Sequence, residues 1–259
     1  MGDDEVKPLL RLSAGLALMA ALCLGATTAF AASSTTNFGK FVCTGGVIAP
    51  GTYTALTVTG ACAIPSGTVI VNGDVHIKAN AALDAAIPTA TVVIAGNVWV
   101  GSNAIFLLGC SPHFGCTTTT TDRINGNVYG NGALAVIFHS NVVRGSITLN
   151  GGGGGYNCIP DPNLGGNPNF SDFEDNSING YVKITNLHSC WLGVIRNNVH
   201  GTVTLENNKL ADPDAIEVTT NKIFGNLVCF GNYHTPKFGD SGGTPNTVLG
   251  KKLGQCASL

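Results

Sequence analysis

Asn176-Ser-Ile-Asn-Gly180-Tyr-Val182-Lys-Ile184 and, twenty-one residues later, Asn197-Asn-Val-His-Gly201-Thr-Val203-Thr-Leu205 decide the fold. Both read Asn-x-apolar-x-Gly-x-apolar-x-apolar. The period-two alternation after each glycine marks a strand with one buried face, and the return of the pattern marks a repeat. Working outward, its seven-residue core recurs as Val71-Asn-Gly73-Asp-Val75-His-Ile77, Ile94-Ala-Gly96-Asn-Val98-Trp-Val100, Ile124-Asn-Gly126-Asn-Val128-Tyr-Gly130, Val143-Arg-Gly145-Ser-Ile147-Thr-Leu149 and Ile223-Phe-Gly225-Asn-Leu227-Val-Cys229. A looser copy, Val58-Thr-Gly60-Ala-Cys62-Ala-Ile64, stands at the head of the series. Only Gly130 breaks the last apolar position of the seven clear copies.

The glycines lie 23, 30, 19, 35, 21 and 24 residues apart. The shorter spacings suit one coil of a β-solenoid, and the longer ones a coil carrying a loop. Four residues before the glycine stands Asp122, Asn141, Asn176, Asn197 or Asn221, and stacked coils would align these into a ladder bonded from rung to rung. A second apolar segment follows most units (Ala82-Leu83, Ala104 to Leu107, Ala133 to Phe138, Trp191 to Ile195, Ala215 to Val218), which implies at least two sheets per coil. The predicted fold is all-β, a single-stranded parallel β-helix over 58–233. An external insertion runs from Gly151 to about Asp175. Terminal caps at 32–57 and 234–259 are needed because the end rungs have no neighbour.

Composition agrees. Charged residues make up 11% of 259, against roughly 25% in ordinary soluble domains. The 35 glycines and 25 asparagines disfavour a helical bundle or a Rossmann-type domain. A net charge of −2 gives no basic footprint for nucleic acid. Leu16 to Ala29 is a short apolar run ending in Ala29-Phe30-Ala31, which reads as a signal peptide over 1–31. A start at Val6 would leave Lys7 and Arg11 as the basic leader. The expected location is therefore extracellular or cell-surface, with no membrane span after cleavage.

Removing the leader removes Cys23 and leaves eight cysteines. In an exported chain they favour disulfides, and nearest-neighbour pairing gives Cys43–Cys62, Cys110–Cys116, Cys158–Cys190 and Cys229–Cys256. The rival is a metal at Cys110-x-x-His113-x-x-Cys116, which offers three ligands and no fourth. No metal and no cofactor is expected.

The Asn-x-apolar-x-Gly units resemble those of the right-handed parallel β-helix superfold shared by pectate-lyase-like proteins, and the chain looks like a secreted bacterial protein of that kind. The resemblance covers roughly Val58 to Asn232. It implies the architecture and hardly constrains the activity.

Outward positions stack into columns. Three residues after the glycine come His76, Trp99, Tyr129, Thr148, Lys183, Thr204 and Val228; one residue after it come Asp74, Asn97, Asn127, Ser146, Tyr181, Thr202 and Asn226. His76, Trp99 and Tyr129 would form an aromatic platform for a sugar, bordered by Asp74, Asn97 and Asn127, with Tyr181 and Lys183 further along. Alternatively, neighbouring insertions cover these rings and they are simply packed. The outward columns of the repeat hold few charges, namely Asp74, Arg144 and Lys183. Asp212-Pro-Asp214 resembles the Asp-Pro-His of alginate epimerases, but Asp214 replaces the histidine. Asp212, Asp214 and Glu217 therefore read as turn and surface residues, and Asp172, Glu174 and Asp175 as a solvated loop rather than a Ca²⁺ site. Gly239-Asp-Ser-Gly-Gly243 matches a chymotrypsin-type nucleophile segment. Only 18 residues follow Ser241, however, too few to complete a second barrel, so the match is a decoy.

Two functions remain. The first is a noncatalytic protein binding polysaccharide or another cell-envelope component. The second is a carbohydrate lyase, hydrolase or epimerase. The first is preferred because no column brings two carboxylates to a base. The sequence does not specify an oligomeric state.

Overall fold

The computed structural model describes residues 36–259. The expected signal segment, the Val6 start and Cys23 lie outside them. Each repeat unit becomes a first strand, a bend at its glycine, a second strand, and a turn into a third strand. Thus Gly67–Val71, Val75–Ile77 and Ala82–Ala85 are followed by Ala90–Ile94, Val98–Val100 and Ile105–Leu108. Each strand pairs in parallel with its counterpart one unit on. First and second strands together build an 18-stranded sheet, and third strands build an eight-stranded one. The chain is thus all-β with long parallel sheets, an arrangement consistent with a β-solenoid. Among the described residues the only helical turns are Pro112–Phe114 and Pro162–Leu164.

Two hydrogen-bonded columns fix the rungs. At the first corner the glycine N–H donates to the carbonyl of the glycine one rung earlier, from Gly96 to Gly73 through Gly250 to Gly225, at 2.9–3.1 Å. A Cβ on Gly201 would lie 2.6 Å from the Gly180 carbonyl oxygen, so only glycine permits this approach. At the turn out of the third strand stand Asn141, Asn176, Asn197, Asn221 and Asn246, nearly fully buried. The Asn197 Oδ1 accepts both the backbone N–H and the Nδ2–H of Asn176, while its Nδ2 donates to the Phe173 carbonyl. Asp122 occupies the same column but accepts from the Val92 N–H instead. A second ladder, Asn208, Asn232 and Gln255, was not anticipated. Except at Asn246, which follows Pro245, the amide of each ladder follows a left-handed residue, for example Arg196 (φ 53°) before Asn197 and Asn207 (φ 55°) before Asn208. That residue turns the chain so that the next side chain points inward.

Inward positions of the second strands, such as Val75, Val98, Val128, Ile147, Val182, Val203 and Leu227, are fully buried. Phe106, Phe138 and Phe173 add an edge-to-face run along the third strands, with centroids 5.1 and 5.7 Å apart. Leu149 fills the space left at Gly130, where an added Cβ would meet its Cδ2 at 2.5 Å.

Two expectations are corrected, the place of Gly60 and the end of the insertion. Gly60 is not a first-corner glycine: Ala61–Ala63 pairs with Ala82–Ala85, so the loose copy belongs to the third-strand sheet. The rung before Gly73 is the unbroken strand Gly51–Val58. Parallel pairing also runs into both segments expected to be caps. Asn37–Cys43 pairs with Gly51–Val58, and Thr247–Val248 and Lys252–Gly254 pair with Lys222–Ile223 and Leu227–Phe230. Asn246 and Gly250 repeat the motif there, hidden because Lys252 and Gly254 stand at apolar positions of an end rung. Finally, the insertion ends at Asn169, because Phe170–Glu174 is a third strand between Ala135–His139 and Trp191–Ile195.

The cysteines form the four nearest-neighbour pairs, with Cα–Cα distances of 6.4, 5.9, 4.6 and 5.4 Å along the chain. Cys158–Cys190 ties the insertion to a coil, and Cys229–Cys256 ties down the last one. Such pairs are compatible with an extracellular protein. No helix among the described residues is long and apolar enough to cross a membrane.

Asn197→Ala strands two buried N–H groups of Asn176, and urea denaturation should show a loss of about 2–4 kcal/mol. Gly201→Ala should lose about 1–3 kcal/mol by forcing adjacent rungs apart.

Candidate functional sites: a stacked-ring groove and an acidic cleft

The outward columns are in register. His76 pairs with Trp99, Trp99 with Tyr129, Tyr129 with Thr148 and Thr148 with Lys183. The His76 and Trp99 rings are stacked at 6.3 Å and 6°, and those of Trp99 and Tyr129 at 4.4 Å and 24°. Beside them runs an open groove of about 500 Å³, lined also by Lys78, Gly101, Asn131, Thr148 and Asn150. Trp99 is 43% exposed. Rings stacked face to face turn their edges, not their faces, to a ligand, so no flat platform spans all three. The bordering polar residues have structural partners. Asp74 Oδ1 accepts the Asn97 N–H, Asn97 Oδ1 accepts the Asn127 N–H, and Asn127 Oδ1 accepts the Ser146 N–H. Tyr181 and Lys183 are exposed but do not line the groove.

The other concavity lies on the outer face of the third-strand sheet. Register places Ile137, Asp172, Gly193 and Glu217 in one outward column, and His139, Glu174, Ile195 and Thr219 in the next. Loops roof this floor into a cleft of about 280 Å³. They bring His113, the Cys158–Cys190 disulfide, Pro168, Asp212, Asp214, Asp240 and Ser241 to its walls, with Phe170 and Trp191 beside the floor. Two expectations fail here. Asp172 and Glu174 belong to a strand, with side chains only 7% and 13% exposed, because the insertion above covers them. Glu217 is not a surface residue either: it is buried at the start of Glu217–Thr219.

His139 Nε2 lies 3.2 Å from Asp172 Oδ2, and its Nδ1 lies 3.8 Å from Glu174. Glu174 also meets Arg196, which is bound at 2.8 Å to Asp175. Asp172 Oδ1 is buried without a hydrogen-bond donor. Across Gly193, the Ser241 hydroxyl donates to Glu217, and Lys237 binds Asp214 at 2.7 Å. Oxygens of Asp214, Glu217 and Asp240 lie within 4.8 Å of one another. Burial, followed by the negative charge of Asp172, pushes the Glu174 carboxyl up to about 7, against the pull of His139 and Arg196. Burial also pushes Glu217 up to about 7; the Ser241 hydrogen bond opposes this, and Asp240 and Asp214 reinforce it. The partner of Ser241 is thus a carboxylate, and His188 is an exposed residue of His188–Ser189, so no protease triad forms.

This cleft escaped the sequence reading because only the glycine-centred columns were stacked. Counting back from the ladder asparagines would have found it. Four residues before Asn141, Asn176, Asn197 and Asn221 stand Ile137, Asp172, Gly193 and Glu217, and two before them stand His139, Glu174, Ile195 and Thr219.

No protein-family model matches the chain, and no curated protein or solved structure matches it.

Because folding raises Glu174 and Glu217 from 4.5 to about 7, these carboxyls ionise in the unfolded chain before they do in the fold. Their contribution to stability is therefore full below about pH 4.5 and lost as pH rises through about 7. Melting temperatures should fall across that window, and Glu217→Gln should shrink the fall. Glu174, which is raised to about 7 as well, keeps it from vanishing.

Proposed function

We propose that the protein is an exported, right-handed parallel β-helix with capped ends that hydrolyses a glycosidic bond in the acidic cleft. One juxtaposition carries this reading: Asp172 and Glu217 share an outward column two rungs apart, on either side of Gly193, whose missing side chain leaves room for the edge of the Trp191 ring and for Asp172 Oδ1. At about 4.8 Å per rung their Cα atoms stand roughly 10 Å apart; in an inverting hydrolase the two carboxyl groups themselves stand about 6.5–9.5 Å apart. The ground for preferring a noncatalytic role, the lack of a column with two carboxylates and a base, does not hold for the third-strand sheet. In this scheme Glu217, held protonated near neutrality, delivers its proton to the leaving oxygen. Asp172, set by His139, takes a proton from water as that oxygen bonds to the anomeric carbon and the glycosidic C–O bond breaks. Hydrolysis is favoured over lyase or epimerase chemistry, because a uronate would enter a cleft lined by carboxylates with no lysine or arginine among them.

A second reading is the noncatalytic one, binding of polysaccharide or another envelope component along the groove. It is supported by the exposure of Trp99 there.

A screen of neutral and amino-sugar oligosaccharides for new reducing ends separates the two. Hydrolysis should fall about 10²–10⁴-fold in Glu217→Gln and in Asp172→Asn and be untouched by Trp99→Ala. Binding without turnover that Trp99→Ala weakens would establish the second reading and overturn the first.

A further inference from the structure

We infer that the acidic cleft binds a saccharide bearing a protonated primary amine, an amino sugar rather than a neutral or uronic one. The inference rests on the reading of the cleft as a carbohydrate site and names its ligand class.

Charge comes first. Asp172, Glu174, Asp212, Asp214, Glu217 and Asp240 line the cleft, whereas Lys and Arg do not. The nearby cations are committed already, Arg196 to Glu174 and Asp175, and Lys237 to Asp214. A uronate would be repelled, and a neutral sugar would leave the excess charge uncompensated.

Geometry comes second. An ammonium offers three hydrogens and no acceptor. Three oxygens at roughly 2.8 Å from one nitrogen, tetrahedrally arranged, lie about 4.6 Å apart. Asp214, Glu217 and Asp240 present oxygens within 4.8 Å of one another; Glu217 carries the proton used in the reaction, so the negative charge comes from Asp214, which Lys237 meets at 2.7 Å, and from Asp240. Independently of this trio, Asp172 Oδ1 lies in the cleft floor on a side chain 7% exposed and has no donor. A buried carboxylate oxygen left unpaired is unfavourable, and a ligand N–H or O–H would satisfy it.

The walls argue for an organic ligand over a bare ion. Trp191, Phe170 and Pro168 supply apolar surface to a sugar ring. A calcium ion takes six to eight oxygens, whereas the trio offers three residues.

The test is calorimetric titration of the full chain at pH 6.5 and low salt with the fully deacetylated glucosamine tetramer, its N-acetylated counterpart, the galacturonate tetramer, spermidine and Ca²⁺. The deacetylated tetramer should bind at least about tenfold tighter than the acetylated one, the scale of a lost charge-assisted hydrogen bond, and the uronate should not bind. Asp240→Asn, at an exposed position, should remove that preference without lowering the melting temperature, since it takes away a charge that opposes the ionisation of Glu217. Equal binding of both tetramers, weakened alike by Glu217→Gln, would overturn the amine inference and leave the carbohydrate reading standing. Binding of spermidine or Ca²⁺ without binding of any tetramer would overturn both.

Discussion

Everything in this molecule depends on how closely successive coils approach at the first corner. There a glycine N–H reaches the glycine carbonyl of the preceding rung, and the backbones come near enough that no side chain fits between them. The contact is weak taken singly, since a hydrogen bond contributes about 1 kcal/mol net. Its importance is geometric. It sets the rung separation and the register together, and a one-residue slip would send every valine and isoleucine of the second strands to solvent. The asparagine ladder holds the far corner in the same register. Its side chains are neutral, so stacking them in the interior accumulates no charge, and each offers both a donor and an acceptor to its neighbours.

A frame fixed at its corners can carry insertions of any length between them, and the long intervals are not scattered. The 30-residue interval before Gly126 contains the Cys110–Cys116 loop with His113, and the 35-residue interval before Gly180 contains the insertion held by Cys158–Cys190. The segments around Asp212 and Asp240 arise from later coils. All of them converge over the same outward face of the third strands. The groove beside Trp99, by contrast, is lined among the described residues by second strands and the turns that follow them, and its rings and amides are largely occupied with one another.

What was legible in the sequence follows from this division. Gly180, Gly201, Asn176 and Asn197 announce the coil because the frame constrains residue type at fixed spacing, and the cysteines could be paired because neighbours in sequence are neighbours in a stack. The rung of Thr247–Val248 and Lys252–Gly254 hid because Lys252 and Gly254 stand where the pattern has aliphatics. Phe170–Glu174 read as loop because its outward residues are acids, and nothing local says that a distant insertion covers them. Asp172 and Glu217 are 45 residues apart in the chain, and only the ladder register shows that they share a column.

The buried acids are hard to account for as structure. In the outward columns one and three residues after each repeat glycine the only acid is Asp74, and the interior ladder manages without charge apart from Asp122. Glu174 and Glu217 are instead held where burial opposes their ionisation, and Asp172 keeps one oxygen without a donor. Each arrangement lowers the stability of the fold near neutral pH, and threonine or serine at these positions would relieve it. A fold stabilised by so many fully buried aliphatic side chains can tolerate that penalty. Carboxyls poised near neutrality in a roofed cleft are a feature of sites that move protons or hold cations, and here they coincide with the one face to which the insertions have been directed.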